Sequence, residues 1–337
     1  ELYAATAAYT AIGNQRLETA DLLPAPGPLR FPEATAAQPL KGVRIALDPG
    51  HIGGTMEFAF LEKKFVQMAK GSRAEITEKV AFNEGNLALG TALLLRDSLE
   101  KLGAEVLVTR NQEAHTSFGG TYDDWLMGEL KRASAASDID FTEIKGTGEY
   151  GYAIRLRRAA GWNWLREKEL TGADSLWWMT AASMRDNYRI PLLRRDFRER
   201  ARLINAFNPD LTLILHYNIL ESNEWGPDHN LSAGDKNFSM AFIPGSFMTG
   251  ELGDAESRML FLGRLISEDL RQSEELSGNI VEGFAQVLGV PAVDYDTTLN
   301  YLRRSSLPTD ADGVFARNLS LTRMVHGPLC YGEALYQ

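Results

Sequence analysis

Residues 43–54 read VRIALDPGHIGG. Val43 to Leu47 is a short, mostly apolar run with β-branched Val43 and Ile45, of the kind that forms a buried strand, and Asp48-Pro49-Gly50 breaks it at once. His51 therefore sits on the loop leaving a central strand. In open α/β sheets ligands bind in the crevice beyond the carboxyl ends of the strands, which puts His51 where chemistry is expected. On this stretch alone it is equally a turn histidine at an ordinary strand end.

The 337 residues, 44% of them hydrophobic, suffice for one large core or for one core with a substantial insertion. A net charge of -10 speaks against nucleic acid or an anionic membrane surface as partner. No apolar run approaches the ~18–20 residues that span a bilayer. The chain opens at Glu1 and not at a methionine, which reads as a leader or tag already removed. The single cysteine, Cys330, permits no internal disulfide and reads as inert packing inside a buried strand.

Working outward, residues 1–40 are alanine-rich and then proline-punctuated (Pro24, Pro26, Pro28, Pro32, Pro39), the mark of a linker or a strap, and the globular part begins at about 41. Residues 55–82 lack clear periodicity and are expected as a long loop with a short amphipathic piece from Met56 to Met68. From Asn83 to Leu102 the period is helical, with Ala88, Ala92, Leu95 and Leu99 on one stripe and Gly103 as the stop. Glu84 lies on the same stripe, so it either reaches toward whatever the helix start abuts or complements the helix dipole as a first-turn acid. Residues 104–110, AEVLVTR, complete a β–α–β unit.

Residues 111–193 interrupt this rhythm and hold five of the six tryptophans: Trp125, Trp162, Trp164, Trp177 and Trp178. Such density indicates a largely helical insertion with a small core of its own, or stacking platforms for sugar rings. Regular structure resumes with a helix at 194–208 and the strand LTLILHY, which places His216 near a strand end as well. A strand follows at NFSMAFIPG, then helices across 254–289 with a break expected near Ser277-Gly278, and a last strand in GPLCYGEALY that carries Glu333. The fold class expected is α/β, a mixed and mostly parallel sheet flanked by helices. His115 and His229 read as surface residues, and His326 precedes the last strand.

Two histidines and two glutamates at strand ends or helix starts make up what a catalytic zinc site requires: three protein ligands and a carboxylate to handle protons. Their order along the chain resembles that of the zinc-dependent N-acetylmuramoyl-L-alanine amidases of the type 3 family, over about 40–110 and 194–337. Residues 43–54 are similar to the family's strand followed by D-P-G-H-G-G, with Ile52 intruding. Glu84 stands where the family's second ligand opens a helix that runs to a glycine and a strand ending in T-R, while Glu78-Lys79 imitates its E-K pair six residues too early, leaving Glu78 as the fallback. Arg200 with Ile204 and Asn205, Asp210, and Ile214 to Asn218 match the helix and S-I-H-x-N strand that follow, without the serine. Arg323, Pro328 and Glu333 match the closing arginine and P-a-v-L-v-E. The family's G-F-x-S-N continuation has no counterpart after Ala334-Leu335-Tyr336-Gln337.

The resemblance implies His51, Glu84 and His216 as ligands of one Zn2+, Glu333 as general base, Arg323 at the oxyanion, and Asp48 and Asn218 holding the loop and a ligand in orientation. It implies hydrolysis of the amide between N-acetylmuramic acid and L-alanine of peptidoglycan, in the periplasm or outside the cell. A zinc peptidase or amidase acting on another amide would use the same residues, and a metal-bound but inactive wall-binding module would not need Glu333. Some relatives block their zinc with an inserted helix, a part that Asp123, Asp124 or Glu129 of the insertion could play.

Overall fold

The computed structural model describes residues 34–62, 64–70, 78–137, 183–218, 237–253, 255–267, 269–294, 302 and 305–336. The first strand, β1 (Arg44–Pro49), is followed by a helix α1 (Met56–Glu62), an antiparallel hairpin β2 (Phe65–Lys70) and β3 (Glu78–Asn83), helix α2 (Glu84–Lys101) and β4 (Glu105–Val108). The described parts of the insertion are helix α3 (Tyr122–Ser137) and helix α4 (Met184–Asn187), which continues through a π-helical turn (Tyr188–Leu192) into α5 (Leu193–Phe207). Then come β5 (Leu211–Asn218), β6 (Met240–Ile243), α6 (Ala255–Ile266), α7 (Asp269–Leu288), β7 (Leu307–Pro308), β8 (Val314–Ala316), α8 (Ser320–Met324) and β9 (Leu329–Tyr336).

Seven strands form one sheet in the order β4-β1-β5-β9-β6-β8-β7. β4, β1, β5 and β9 run parallel, β6 is antiparallel to β9 and parallel to β8, and β7 is antiparallel to β8. This is the expected mixed, mostly parallel α/β sheet. β1 is buried on both faces because its side chains alternate between two layers: Ile45 and Leu47 pack with Ala92, Leu95 and Leu99 of α2, whereas Ala46 packs with Ala201 and Ile204 of α5 and Leu321 of α8. Burying a side chain such as Leu47 contributes about 1.5–3 kcal/mol. Because the chain leaves β1 for β4 on one side and reaches β5 on the other, the strand order reverses at β1, and the crevice of such a sheet opens there.

Two expectations are corrected. Residues 55–82 are not mainly loop: α1 and the β2–β3 hairpin occupy most of the stretch, and the two-stranded pairing runs from Phe65 opposite Asn83 to Lys70 opposite Glu78. Its two strands pair only with each other, apart from the main sheet. The helical region does not break at Ser277-Gly278 but between α6 and α7, near 267–268. Ser273 and Ser277 are wholly buried, and Ser273 Oγ accepts the Leu329 amide of β9 at 2.9 Å, so the small residues let α7 lie close against the sheet.

A separate cluster joins the insertion to the loop after β1. Tyr122, Trp125, Leu130, Tyr188, Ile190 and Leu192 pack around Ile52, with Phe58 and Leu61 of α1 against them. Residues 1–33, Trp162, Trp164, Trp177, Trp178 and His229 lie outside the described residues. No helix among the described residues is long and apolar enough to cross a membrane.

Candidate metal centre

The turn after β1 is held by two buried guanidinium groups. Arg200 of α5 donates Nη1 to the Pro49 carbonyl and Nη2 to that of His51, both at 2.7 Å. Arg110, just beyond β4, donates Nε to the His51 carbonyl at 2.8 Å and Nη2 to those of Gly50 at 3.0 Å and Gly85 at 2.6 Å. Arg200 is in turn held by Asp196 at 2.6 Å and lies 3.4 Å from Asp48, whose other contact is the Thr109 hydroxyl. His51 thereby adopts a left-handed φ of 57°, a conformation that costs a residue with a Cβ on the order of 1–3 kcal/mol. The loop is also stitched to the start of α2: Gly54 donates to Asn86 Oδ1, and Asn83, the helix N-cap, donates Nδ2 to the Gly54 carbonyl, each at 2.7 Å.

These constraints bring His51, Glu84 and His216 together, with one donor atom of each within 4.8 Å of the others. Glu84 Oε1 lies 3.1 Å from His51 Nε2 and 2.8 Å from His216 Nδ1, and it accepts the Tyr217 amide at 3.1 Å. Glu84 is wholly buried at the first turn of α2, so both alternatives open for it apply at once: it starts the helix and faces the crevice. His216, near the carboxyl end of β5, has its ring stacked on Tyr331 of β9 at 4.4 Å and meets the His51 ring edge-on at 4.8 Å. Gly50 is required beside it, since a Cβ there would stand 2.5 Å from His216 Nε2.

The electrostatics are those of a crowded polar pocket under low dielectric. Burial works against a charge on His51, but the carboxylates of Glu84 and Glu62 outweigh it and raise its pKa to about 9. Burial pushes His216 down to about 4 despite Glu84. Glu84 is held well below the carboxylate range, because His51 and Lys64 more than offset its burial. Glu333 pairs across the β5–β9 ladder with His216; burial, and then the charge of Glu84, push its carboxyl up to about 7. A carboxyl of that strength can take and return a proton near neutrality.

Two imidazoles and one carboxylate are the donor set of a catalytic zinc. The pocket fits such an ion, since His51 Nε2 is buried and makes no hydrogen bond. Glu333 Oε2 is likewise buried and without one.

Other expected residues fall into place differently. The cations with the largest pull on Glu333 are Lys64, His51 and Arg317; Arg323 instead rides on α8, whose five residues coil the chain between β8 and β9. Its spacing from Pro328 concealed that helix. Glu78 begins β3 opposite Lys70, at the end of the hairpin remote from Asn83. Asn218 ends β5 opposite Tyr336, past a register shift. His326 is tied through its amide to Asn205 Oδ1 at 2.9 Å, beside Arg264 and Asp269, and His115 bonds the Glu113 carbonyl. Asp124 caps its own helix through Thr121, and Glu129 binds Arg195 at 2.5 Å. Cys330 is buried, which pushes its thiol up to about 11.

Sequence reasoning missed Glu62 and Lys64. Glu62 Oε1 lies 3.3 Å from His51 Nδ1, and Lys64 Nζ lies 3.3 Å from Glu84 Oε2. The only available signal was the charged EKK run of residues 62–64 inside the amphipathic piece that follows the HIGG loop.

No family model and no curated protein matches the chain. Among solved structures it is similar to the CwlD amidase from Clostridioides difficile in complex with the GerS lipoprotein, at 15% identity over 88% of this chain and 83% of that one, with a TM-score of 0.39. It is similar also to the apo N-acetylmuramyl-L-alanine amidase Ami1 from Mycobacterium abscessus, at 13% identity over 88% and 85% and a TM-score of 0.35. The N-acetylmuramoyl-L-alanine amidase from Clostridium difficile 630 matches at 12% identity over 87% and 80%, with a TM-score of 0.36. Likenesses this distant carry no chemistry, which rests on the residues themselves.

Proposed function

We propose that this protein is a zinc-dependent amidase that hydrolyses the bond between N-acetylmuramic acid and L-alanine of peptidoglycan, acting outside the cytoplasm. The observation that carries the reading is the convergence of His51, Glu84 and His216 on one point with Glu333 facing His216 across the ladder. His51, Glu84 and His216 would hold the zinc, which when bound supplies a Lewis acid and makes hydroxide available near neutral pH. Glu333 takes the proton of the attacking water and returns it to the departing alanine nitrogen, a transfer suited to a carboxyl raised to about 7. Arg323 is the guanidinium proposed to face the developing oxyanion. Asp48 and Arg200 keep His51 in its left-handed turn, and Tyr331 keeps the His216 ring flat against β9.

Dye release from labelled peptidoglycan, with and without a chelator, tests the reading. Chelator-sensitive release with free stem peptides beginning in L-alanine is the expected result. Release of peptide fragments cut further along the stem would make the protein a zinc peptidase instead, and zinc binding with no release from any wall preparation would leave only a binding module.

A further inference from the structure

We infer that Glu62 and Lys64 form an outer clamp on the metal centre, in which Glu62 sets the ring of His51 and Lys64 restricts Glu84 to a single donor oxygen. This rests on the metal reading above. The His51 backbone is already fixed by Arg110 and Arg200 on its carbonyl, which leaves only its side-chain torsions free. Glu62 Oε1 stands 3.3 Å from Nδ1 as an ion-pair contact, on the side of the ring away from Nε2, which faces Glu84. On Glu84 the polarity is reversed. Oε1 faces both imidazoles, and Lys64 Nζ occupies Oε2 at 3.3 Å, so the carboxylate presents one oxygen and not two.

The clamp is anchored at both ends, which is why it can act through geometry. The Glu84 amide donates to the Lys64 carbonyl at 3.1 Å, and the Lys64 amide to that of Ala59 at 3.0 Å, so the strand leaving α1 is tied to α2. On the other side, Phe58 packs its ring on Tyr122 at 5.9 Å and on Tyr188 at 5.6 Å, fixing α1 against the insertion. Partners that orient metal-bound histidines and carboxylates in this way are worth about 10–100-fold in metal affinity. Glu62 and Lys64 are thus positioning residues. They touch ligands and not substrate.

Zinc affinity, measured by competition with a chromophoric chelator, tests this directly. Glu62→Ala and Lys64→Met are each expected to bind zinc about 10–100-fold more weakly than the parent, with Glu62→Gln recovering part of the loss because it keeps a side chain of the same shape and an acceptor oxygen beside Nδ1. Affinities of Glu62→Ala and Lys64→Met within about twofold of the parent would overturn the clamp. Should Glu62→Ala fail to fold, the visible spectrum of cobalt-loaded Lys64→Met decides: a band shifted from the parent's supports the clamp, and an identical band refutes it. Dye release is scored separately. A loss of zinc affinity in a protein that releases no dye would uphold the clamp while sinking the amidase reading.

Discussion

Replacing Arg200 by methionine isolates what holds the catalytic turn. The guanidinium is wholly buried and serves five acceptor atoms: both oxygens of Asp48, one of Asp196, and the carbonyls of Pro49 and His51. Methionine keeps much of the aliphatic volume but leaves two buried carboxylates without their cation and the Pro49 carbonyl without its guanidinium donor, while the His51 carbonyl keeps Arg110. Removing one partner of a buried ion pair costs about 3–5 kcal/mol, a large share of the ~5–15 kcal/mol that separates folded from unfolded chains. Urea unfolding should show that loss as a lowered midpoint at an unchanged slope. The loss should depend on pH. Burial already raises the Asp48 carboxyl above its ordinary 3.8, and deleting Arg200 removes the strongest opposing influence, so the variant's Asp48 binds a proton in the native state that the unfolded chain releases. Native stability of the variant therefore gains as pH falls toward that ordinary value, and the deficit relative to the parent widens as pH rises away from it. Arg200→Lys keeps the charge without the planar fork and should fall between. A loss under about 1 kcal/mol at pH 7.5, with unchanged zinc affinity, would refute the reasoning that Arg200 organises the turn.

Four further outcomes are expected. His51→Ala and His216→Ala should each abolish stoichiometric zinc in metal analysis. Stripping the parent with a chelator should lower its Tm by an amount restored on adding zinc, with no such shift in His216→Ala. Glu333→Gln should keep zinc bound while slowing dye release by about 10²–10⁴-fold, and near-normal turnover would remove Glu333 from the chemistry. Trp125→Ala, in the cluster that seats Ile52 and Phe58, should cost about 3–5 kcal/mol in urea unfolding, whereas a loss under about 1 kcal/mol would mean that the insertion does not buttress α1.

How much of this was legible in the sequence follows from where the information lies. β1, α2 and β5 were readable because each buries a face whose period survives in the letters, and their ends carry His51, Glu84 and His216. Loop chemistry placed the histidine, since Asp48-Pro49-Gly50 ends the strand and Gly50 leaves room for the His216 ring. The pairing of β2 with β3 was not readable, because the letters of 65–70 and 78–83 show no clear period and these strands pair only with each other, outside the main sheet. Glu62 and Lys64 were missed because their partners are 11 and more residues away in the chain and meet them only once α1 folds back on α2.

The arrangement also explains why a histidine, and not a glycine, tolerates the left-handed position at the mouth of β1. Strain on the order of 1–3 kcal/mol at His51 persists only if the surroundings over-determine the turn. Here the carbonyls of Pro49, Gly50 and His51 are all claimed by Arg110 or Arg200, and each guanidinium is itself buried and cannot withdraw to water without leaving those acceptors bare. Charge-assisted bonds of this type contribute about 1.5–3 kcal/mol each, so any two of them outweigh the strain. The His51 ring is then directed into the pocket by the backbone before any ion arrives. An ion that binds has to order little more than side-chain torsions, which is the condition for tight metal binding at a strand end that otherwise has nothing but a turn to support it.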